Sequence, residues 1–229
     1  MMRIAKFICA QGYCSRRKAE ELIFSKRVSL NGEIIENPVY FVTKKDNITI
    51  DGKKLDVAQE QEKLWIYYKP VGEITTHDDP EGRNTVFANL PSEIGRVVSV
   101  GRLDVNSEGL LLLTNSGQLA NKLSLPANNY KRVYKVRARG LTQEAIDEID
   151  RINNGLILAG INSKPVDIKI LNSNSYNRWF IVTLHEGKNR EIRKLFTHIG
   201  LEVNRLIRIS FGKFELGHMQ PGELQEVKI

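Results

Sequence analysis

Residues 101–117 read GRLDVNSEGLLLLTNSG, a polar segment between two glycines that is followed by four consecutive leucines. A strand predicted over 96–100 ends before Gly101, and the leucines that follow Gly109 predict a second, buried strand. The polar residues between the two glycines therefore predict a short loop held between core strands. Asp104 lies on this loop, where an ionised carboxylate can act as a nucleophile or a general base. The alternative is an aspartate that caps backbone amides of its own turn, and spacing alone favours that alternative.

Further strands and helices are predicted on either side of this stretch. Alternating or continuous apolar residues predict strands over 64–68, 110–114, 134–138, 166–170, 179–184 and 203–209. Helical periodicity predicts helices over 118–123, 142–152 and 190–199. The two kinds of element do not alternate regularly, so we predict an α+β fold with a mainly antiparallel mixed sheet and flanking helices.

The N-terminal part of the chain has a different pattern. Ser15 is typical of a helix N-cap, and Asn31-Gly32 between short apolar alternations predicts a hairpin. We expect a small module over residues 1–58, a polar linker over 59–63 and a larger domain over 64–229.

The composition is that of a globular protein with an excess of positive charge. Lys and Arg number 34 against 27 Asp and Glu, which gives a formal net charge of +7 and is consistent with a polyanionic partner. No apolar run approaches the roughly 20 residues that a membrane span needs. The two cysteines, Cys9 and Cys14, match neither a zinc pattern nor a disulfide framework. We therefore expect a soluble, reduced, cytoplasmic protein that does not bind membranes.

Positive charge is concentrated in two places. Arg16, Arg17 and Lys18 fall in the first turn of a predicted helix, where the helix dipole disfavours cations, so they suggest a phosphate-binding surface rather than helix stabilisation. The second concentration follows a glycine in residues 185–196, which read HEGKNREIRKLF. The alternative for both concentrations of charge is a solvated helix face. In residues 185–196, an ordinary amphipathic helix fully explains the apolar spacing.

Several other chemistries have no support in the sequence. There is no Walker A loop, no Gly-x-Gly-x-x-Gly, no Gly-x-Ser-x-Gly, and the four histidines lie too far apart for a metal site. We expect neither a metal nor a cofactor.

The stretch at 101–117 resembles the signature of the bacterial ribosomal RNA pseudouridine synthases that carry an S4-like domain. Ser107 replaces the usual Thr, and Ser116 stands where Asp is common. Further matches to the family's motifs are KPVG at 69–72, KRVYKV at 131–136 and EGKNREIRKLF at 186–196. Residues 1–60 resemble the S4-like RNA-binding module, so the resemblance covers nearly the whole chain.

The resemblance implies an enzyme that isomerises a specific uridine of ribosomal RNA to pseudouridine, without cofactor, metal or energy source. Within the family the chain is most similar to the enzymes of the large subunit, which implies 23S rRNA, free or within a pre-ribosomal particle. The alternatives are the 16S rRNA enzyme and a non-catalytic rRNA-binding assembly factor. We expect a monomer.

The resemblance also implies roles for individual residues. Asp104 matches the catalytic aspartate, Tyr134 the tyrosine that stacks on the flipped uracil, and Arg193 the arginine paired with the aspartate. It further implies that Ile192 lies against the base and that Arg102 braces the loop. We expect the RNA strand to contact Lys69, Lys188, Arg190, Lys194, Arg16, Arg17, Lys18 and Arg27.

Overall fold

The computed structural model describes residues 1–56, 61–158, 160–162, 164–171 and 176–229. It divides into two compact units. The first comprises Met1–Glu62, Gly95–Val97 and Asn115–Gly117, and the second Lys63–Ile94, Val98–Thr114 and Gln118–Ile229. Residues 57–60, where the predicted module ends and the predicted linker 59–63 begins, lie outside the described residues, so those boundaries stay predictions.

The described residues of the first unit form two helices and six short strands. In chain order these are β1 (Met2–Arg3), α1 (Ile4–Ala10), α2 (Arg16–Phe24), β2 (Val28–Leu30), β3 (Glu33–Ile34), β4 (Phe41–Val42), β5 (Ile48–Ile50) and β6 (Lys53–Lys54). Strand β1 pairs with β4, and the other four form an antiparallel sheet in the order β3-β2-β5-β6. Apolar residues of both helices and of β2 and β5 form one buried cluster.

Local sequence signals explain this arrangement. The Ser15 hydroxyl accepts a hydrogen bond from the backbone amide of Lys18 at 3.1 Å, so the predicted N-cap is confirmed. Asn31 and Gly32 both have positive φ angles, 53° and 96°, which is the conformation that a two-residue hairpin turn between β2 and β3 requires.

The second unit contains the remaining strands and helices. They are β7 (Leu64–Lys69), β8 (Val98–Ser99), β9 (Glu108–Thr114), α3 (Gly117–Ser124), β10 (Arg132–Arg139), α4 (Gln143–Asn153), β11 (Asp167–Ile170), β12 (Asn177–Leu184), α5 (Glu191–His198), β13 (Glu202–Phe211), β14 (Phe214–Glu215) and β15 (Leu224–Val227). Short 3₁₀ helices span Val86–Asn89, Ser92–Ile94 and Pro126–Asn128.

The described strands of this unit form one nine-stranded sheet. The order is β11-β12-β10-β13-β9-β7-β15, with β14 beside β13 and β8 beside β9. Among the described strand pairs, only β9 and β13 run parallel. The predicted α+β fold with a mainly antiparallel mixed sheet is therefore confirmed. The strand predicted over 96–100 is shorter, because only Val98 and Ser99 pair with the end of β9.

Strand β9 lies between β13 and β7 in the interior of the sheet and is buried at every position. Gly109, its second residue, sits beside Arg208 of β13. Its φ is +101°, and a Cβ atom built there would lie 2.4 Å from the backbone oxygen of Arg208. The parallel contact between β9 and β13 therefore depends on the absence of a side chain at position 109.

Replacing Gly109 with Ala should lower the free energy of unfolding of the second unit by about 4 kcal/mol, because backbone atoms cannot move aside as a flexible side chain can. Urea unfolding followed by tryptophan fluorescence measures this, since both tryptophans, Trp65 and Trp179, lie in this unit. Gly217→Ala is the matched control, since φ is +58° and the space is open there, and should cost about 1–2 kcal/mol. Equal losses in the two variants would contradict the close approach.

Candidate active site

A cleft of about 360 Å³ opens within the second unit, beside the loop that follows β8. Seven of the residues singled out in the sequence line it. They are Arg102, Asp104, Tyr134, Lys188, Arg190, Ile192 and Arg193. The fold thus brings residues from three separate motifs, up to 91 positions apart, to one place.

The loop that carries Asp104 is fixed through its backbone. Each of the five consecutive carbonyl oxygens of residues 103–107 accepts a hydrogen bond. The donors, in the order of those carbonyls, are Thr75 Oγ1 (3.0 Å), Ser107 N (3.0 Å), Gly72 N (2.8 Å), Arg193 Nη2 (2.7 Å) and Lys69 Nζ (2.8 Å). Only one donor belongs to the loop itself, so the rest of the unit sets the conformation of this segment.

The Asp104 side chain is 38% exposed and lines the cleft, while Leu103 before it and Ser107 after it are buried. Its nearest cation is Arg190, whose Nη1 lies 3.7 Å from Asp104 Oδ2. Arg190 is the residue before α5 and has a left-handed backbone, with φ of 53°. A non-glycine residue pays about 1–2 kcal/mol for that conformation, which is a common feature of functional sites.

Arg193 occupies a different place from the one expected. Its Nη2 donates to the carbonyl of Asn106 at 2.7 Å and its Nη1 to the carbonyl of Val203 at 3.3 Å. In the described part of the chain, Arg190 rather than Arg193 lies within ion-pair distance of Asp104. The Arg193 guanidinium thus holds the backbone of the loop. Burial lowers the pKa of Arg193 and the charge of Asp104 opposes this effect, so the two groups still interact, and their direct pairing stays a prediction.

Tyr134 and Ile192 form the apolar part of the cleft. Tyr134 lies on β10, paired with Val182 on one side and Arg208 on the other, and is 8% exposed. Ile192 lies in the first turn of α5 and is 4% exposed. The spacing of Tyr134 on its strand predicts only a core residue, and its presence in the cleft comes from the fold.

Lys69 differs from the expected RNA contact. The side chain is fully buried, and its ammonium group donates to the carbonyls of Pro70 and Ser107 at 2.9 and 2.8 Å. Burial lowers the pKa of Lys69 to about 8, although the nearby carboxylates Glu73 and Asp104 oppose this effect. The Lys69 ammonium group is therefore hydrogen-bonded to backbone oxygens inside the protein and is shielded from solvent.

Arg102 also differs from expectation. The resemblance implies that it braces the loop, yet it is exposed, and within the described residues its guanidinium makes no hydrogen bond or ion pair. Thr75, Gly72, Arg193 and Lys69 brace the loop instead. The Arg102 side chain is therefore available to a ligand at the cleft.

An acidic region of the cleft has no clear signal in the sequence. Glu186 and Glu191 are 9% and 3% exposed, and Glu191 accepts a hydrogen bond from the backbone amide of Lys188 at 3.0 Å. Burial raises the pKa of Glu191 to about 7, and the neighbouring Glu186 acts in the same direction. The only sequence signal is a glutamate at the start of a helix, which is ordinarily a solvated residue favoured by the helix dipole.

Glu108, the residue that follows the Asp104 loop, is a buried carboxylate with its own partners. Arg205 donates to both carboxylate oxygens of Glu108, at 2.7 and 3.1 Å, and the hydroxyl of Tyr68 donates to the same carboxylate at 3.0 Å. Burial would raise the pKa of Glu108, but these hydrogen bonds hold it below its usual value. Glu108 is therefore a paired buried charge that links β7, β9 and β13.

The expected phosphate-binding cations lie in varied surroundings. Lys188 is 39% exposed and lies 3.6 Å from Glu186, and Lys194 is exposed on α5. In the first unit, Arg16, Arg17 and Lys18 are exposed, with Arg16 and Lys18 paired to glutamates of their own helix. Such exposed pairs are weak, so these side chains can exchange partners.

Arg27 is held more firmly than the others. Its guanidinium donates two hydrogen bonds to Asp51, at 2.7 and 2.6 Å. Hydrogen bonding and the negative charge of Asp51 raise the pKa of Arg27. This two-bond pair between the guanidinium and the carboxylate stabilises the turn at Asp51. Arg27 would have to break both hydrogen bonds before it could bind a phosphate.

The described residues contain neither a metal-binding cluster nor a membrane-spanning helix. No group of three or more histidine, cysteine, aspartate or glutamate side chains among them is placed to hold a metal ion. No described helix combines the length and apolar character that crossing a bilayer requires.

Comparison with known proteins identifies both units. Residues 63–198 match the RNA pseudouridylate synthase family, and residues 2–48 match the S4 domain. A solved structure described as a pseudouridylate synthase superposes with a TM-score of 0.66 at 26% identity, covering 100% of this chain and 96% of the other.

Two groups of relatives agree with this match. An uncharacterised RNA pseudouridine synthase of Rickettsia prowazekii is 48% identical over 229 residues, covering 99% of this chain and 94% of the relative. The ribosomal large subunit pseudouridine synthase B of Yersinia pestis is 39% identical over 219 residues, covering 93% of this chain and 68% of the relative. The expected resemblance to the large-subunit enzymes is confirmed, and the chain belongs to the RNA pseudouridine synthase family, with an S4 domain in its N-terminal part.

Proposed function

We propose that this enzyme converts a specific uridine of 23S rRNA to pseudouridine, with Asp104 as the catalytic carboxylate. The observation that carries the proposal is the partly exposed carboxylate of Asp104, on a loop whose carbonyls are all hydrogen-bonded over residues 103–107, in a cleft that also contains Tyr134 and several arginines. The similarity to large-subunit synthases supports 23S rRNA as the substrate.

The reaction is an isomerisation that needs no external reactant. The bond from ribose carbon 1′ to uracil nitrogen 1 breaks, the uracil turns, and a bond forms from carbon 1′ to carbon 5. The proton on carbon 5 leaves and nitrogen 1 gains one, so atoms and electrons balance. Asp104 can serve as a nucleophile on the nucleotide or as a base that removes a proton, and both roles need a carboxylate held at one position.

The target base has to leave its helix to reach Asp104. Flipping a base costs a few kcal/mol, and stacking on an aromatic side chain returns about 1–3 kcal/mol. Tyr134 supplies an aromatic ring in the cleft and Ile192 an apolar surface. We therefore assign Tyr134 the role of stacking on the flipped uracil and Ile192 that of packing against it.

Arg193 acts in this scheme as a positioning residue. It holds the carbonyl of Asn106, two residues after Asp104, and so sets where the carboxylate lies. The phosphates of the bound strand contact Arg190, Lys188 and Lys194 in this scheme, and the RNA contacts Arg102 at the cleft. Arg16, Arg17 and Lys18 supply further phosphate contacts from the S4 domain.

The decisive test of the function is release of tritium from 23S rRNA labelled on carbon 5 of uridine, together with mapping of pseudouridine in rRNA from cells with and without the gene. We expect release from 23S rRNA and the loss of one site in the deletion strain. Release from 16S rRNA alone would replace the proposed substrate. RNA binding without any release would leave a non-catalytic assembly factor.

Changing Asp104 to Asn should lower the rate of tritium release by at least about 100-fold, since the carboxylate takes part in the chemical step. The affinity for RNA should stay within a few-fold, because the change removes no cation that could bind a phosphate. Asp150→Asn on the exposed face of α4 is the matched control and should keep full activity. Substantial turnover by the Asp104→Asn variant would overturn the assignment.

Changing Arg193 to Gln should lower kcat by about 10- to 100-fold with little change in KM, because the loop loses one charge-assisted hydrogen bond. Arg193→Lys should recover part of kcat, which a general loss of folding would not allow. Arg190→Gln should have a smaller effect, since a solvent-exposed ion pair contributes about 0–1 kcal/mol. If the effect of Arg193→Gln lies entirely in KM, Arg193 is an RNA contact instead.

Replacing Arg16, Arg17 and Lys18 together with Gln should weaken RNA binding and flatten its dependence on salt. The log–log slope should fall by about 1 for each phosphate that is no longer neutralised. The matched control exchanges cation for cation at the same positions (Arg16→Lys, Arg17→Lys, Lys18→Arg) and should preserve the slope. Fluorescence anisotropy at several salt concentrations measures both variants, and an unchanged slope in the Gln variant would remove the S4 residues from the interface.

A further inference from the structure

Two arginines of the cleft have no part in the proposed mechanism. Arg132 on β10 and Arg208 on β13 both line the cleft and are only 8% and 3% exposed. In the ladder between these strands, Arg132 is opposite Phe211 and Tyr134 is opposite Arg208. A bulge after Val133 produces this register, which places both arginines next to the proposed base-stacking tyrosine.

Neighbouring groups use only part of each guanidinium. Arg208 Nε donates to the carbonyl of Leu110 at 2.7 Å, and Arg132 Nη1 donates to the carbonyl of Tyr130 at 3.1 Å. Both guanidinium carbons lie over the ring of Phe211, at 4.8 Å for Arg132 and 5.6 Å for Arg208. Arg208 Nη2 is buried and has no hydrogen-bond partner in the described residues.

The main chain before α5 passes close to Arg132. A Cβ atom at position 187 would lie 3.4 Å from Arg132 Nε, in ordinary van der Waals contact, so the main chain at Gly187 runs directly beside the guanidinium. Gly187 belongs to the segment that leads into α5. The same segment supplies Lys188 and Arg190, so further cations flank the pair.

No ion pair in the part of the chain that the structure describes neutralises Arg132 or Arg208. Within the described residues, no carboxylate lies within 4.0 Å of either guanidinium. Burial lowers the pKa of Arg132, and the charge of Arg208 acts in the same direction. Tyr134 and Glu191 act in the opposite direction on Arg132, and burial raises the pKa of Glu191 itself to about 7. Buried charges in proteins are ordinarily paired, so this arrangement calls for an anion from outside.

We propose that Arg132 and Arg208 form a phosphate subsite that binds one phosphodiester of the RNA strand next to the flipped uridine. A guanidinium with unused N–H groups binds phosphate oxygens in fork geometry, and the low dielectric of a buried site strengthens the interaction. An uncharged base would satisfy donors but leave both positive charges unbalanced, which favours the phosphate. The identity of the RNA in this inference rests on the proposed function. The anion-binding chemistry of the two arginines does not.

Removing the charge of one RNA phosphate at a time tests this subsite. A synthetic RNA hairpin that spans the mapped uridine is made with one methylphosphonate at each linkage flanking it in turn. Binding is measured by anisotropy to Asp104→Asn enzyme, alone and combined with Arg208→Gln or Arg132→Gln. We expect neutralisation of one linkage to weaken binding by about 10- to 100-fold, and each arginine substitution to weaken it by a similar factor.

The double change decides between a direct contact and a structural role. If the subsite binds that phosphate, the methylphosphonate should cause little further weakening once Arg208 is replaced by Gln, so the two effects are strongly non-additive. Additive effects at every flanking linkage would overturn the proposal. Arg151→Gln, which removes an exposed cation on α4, is the matched control and should keep the full sensitivity to the linkage.

A second measurement does not depend on the RNA. Millimolar inorganic phosphate should raise the thermal midpoint of wild type above that in chloride of equal ionic strength, and the rise should be smaller in Arg208→Gln and Arg132→Gln. The difference between proteins is the readout, because phosphate also stabilises proteins non-specifically. If phosphate raises the thermal midpoint equally in wild type and in both variants, the subsite is overturned, whether or not pseudouridine formation is found. If the rise is larger in wild type, the subsite is supported, even if the enzyme acts on another RNA.

Discussion

The site depends on the hydrogen bonds that fix five consecutive carbonyls of the Asp104 loop. Four of the five donors come from elsewhere in the unit, namely Thr75, Gly72, Arg193 and Lys69. A short polar loop would otherwise sample many conformations, at a cost of about 1–2 kcal/mol per residue when it is ordered. Because these hydrogen bonds hold the carbonyls of the loop, the Asp104 side chain lines the cleft from a fixed backbone, with Arg102 beside it.

Local signals made the secondary structure predictable. The Asn31-Gly32 turn, the Ser15 cap and the buried leucine strand after Gly109 are each set by residues within a few positions of one another. The motif resemblance also identified Asp104, Tyr134 and Ile192, which the structure places in one cleft.

What the sequence did not reveal depends on contacts across long stretches of chain. Lys69 reads as a surface cation, but its ammonium group donates a hydrogen bond inside the protein to the carbonyl of Ser107, 38 positions away. Arg190 and Arg193 are three residues apart on one short segment, and no periodicity distinguishes the one near the carboxylate from the one that holds the loop backbone. The left-handed backbone of Arg190 separates their roles, and only the coordinates show it.

The parallel contact between β9 and β13 has a consequence for when the enzyme can become active. Gly109 and Arg208 are 99 positions apart, so on a ribosome the second strand is made long after the first. Until β13 docks, Arg208 is missing from the cleft and the start of β9, at Glu108 and Gly109, lacks its partner on the flank where β8 already pairs with the end of the strand. Because Arg208 lines the cleft, the cleft is complete only after β13 has been synthesised and has docked against β9.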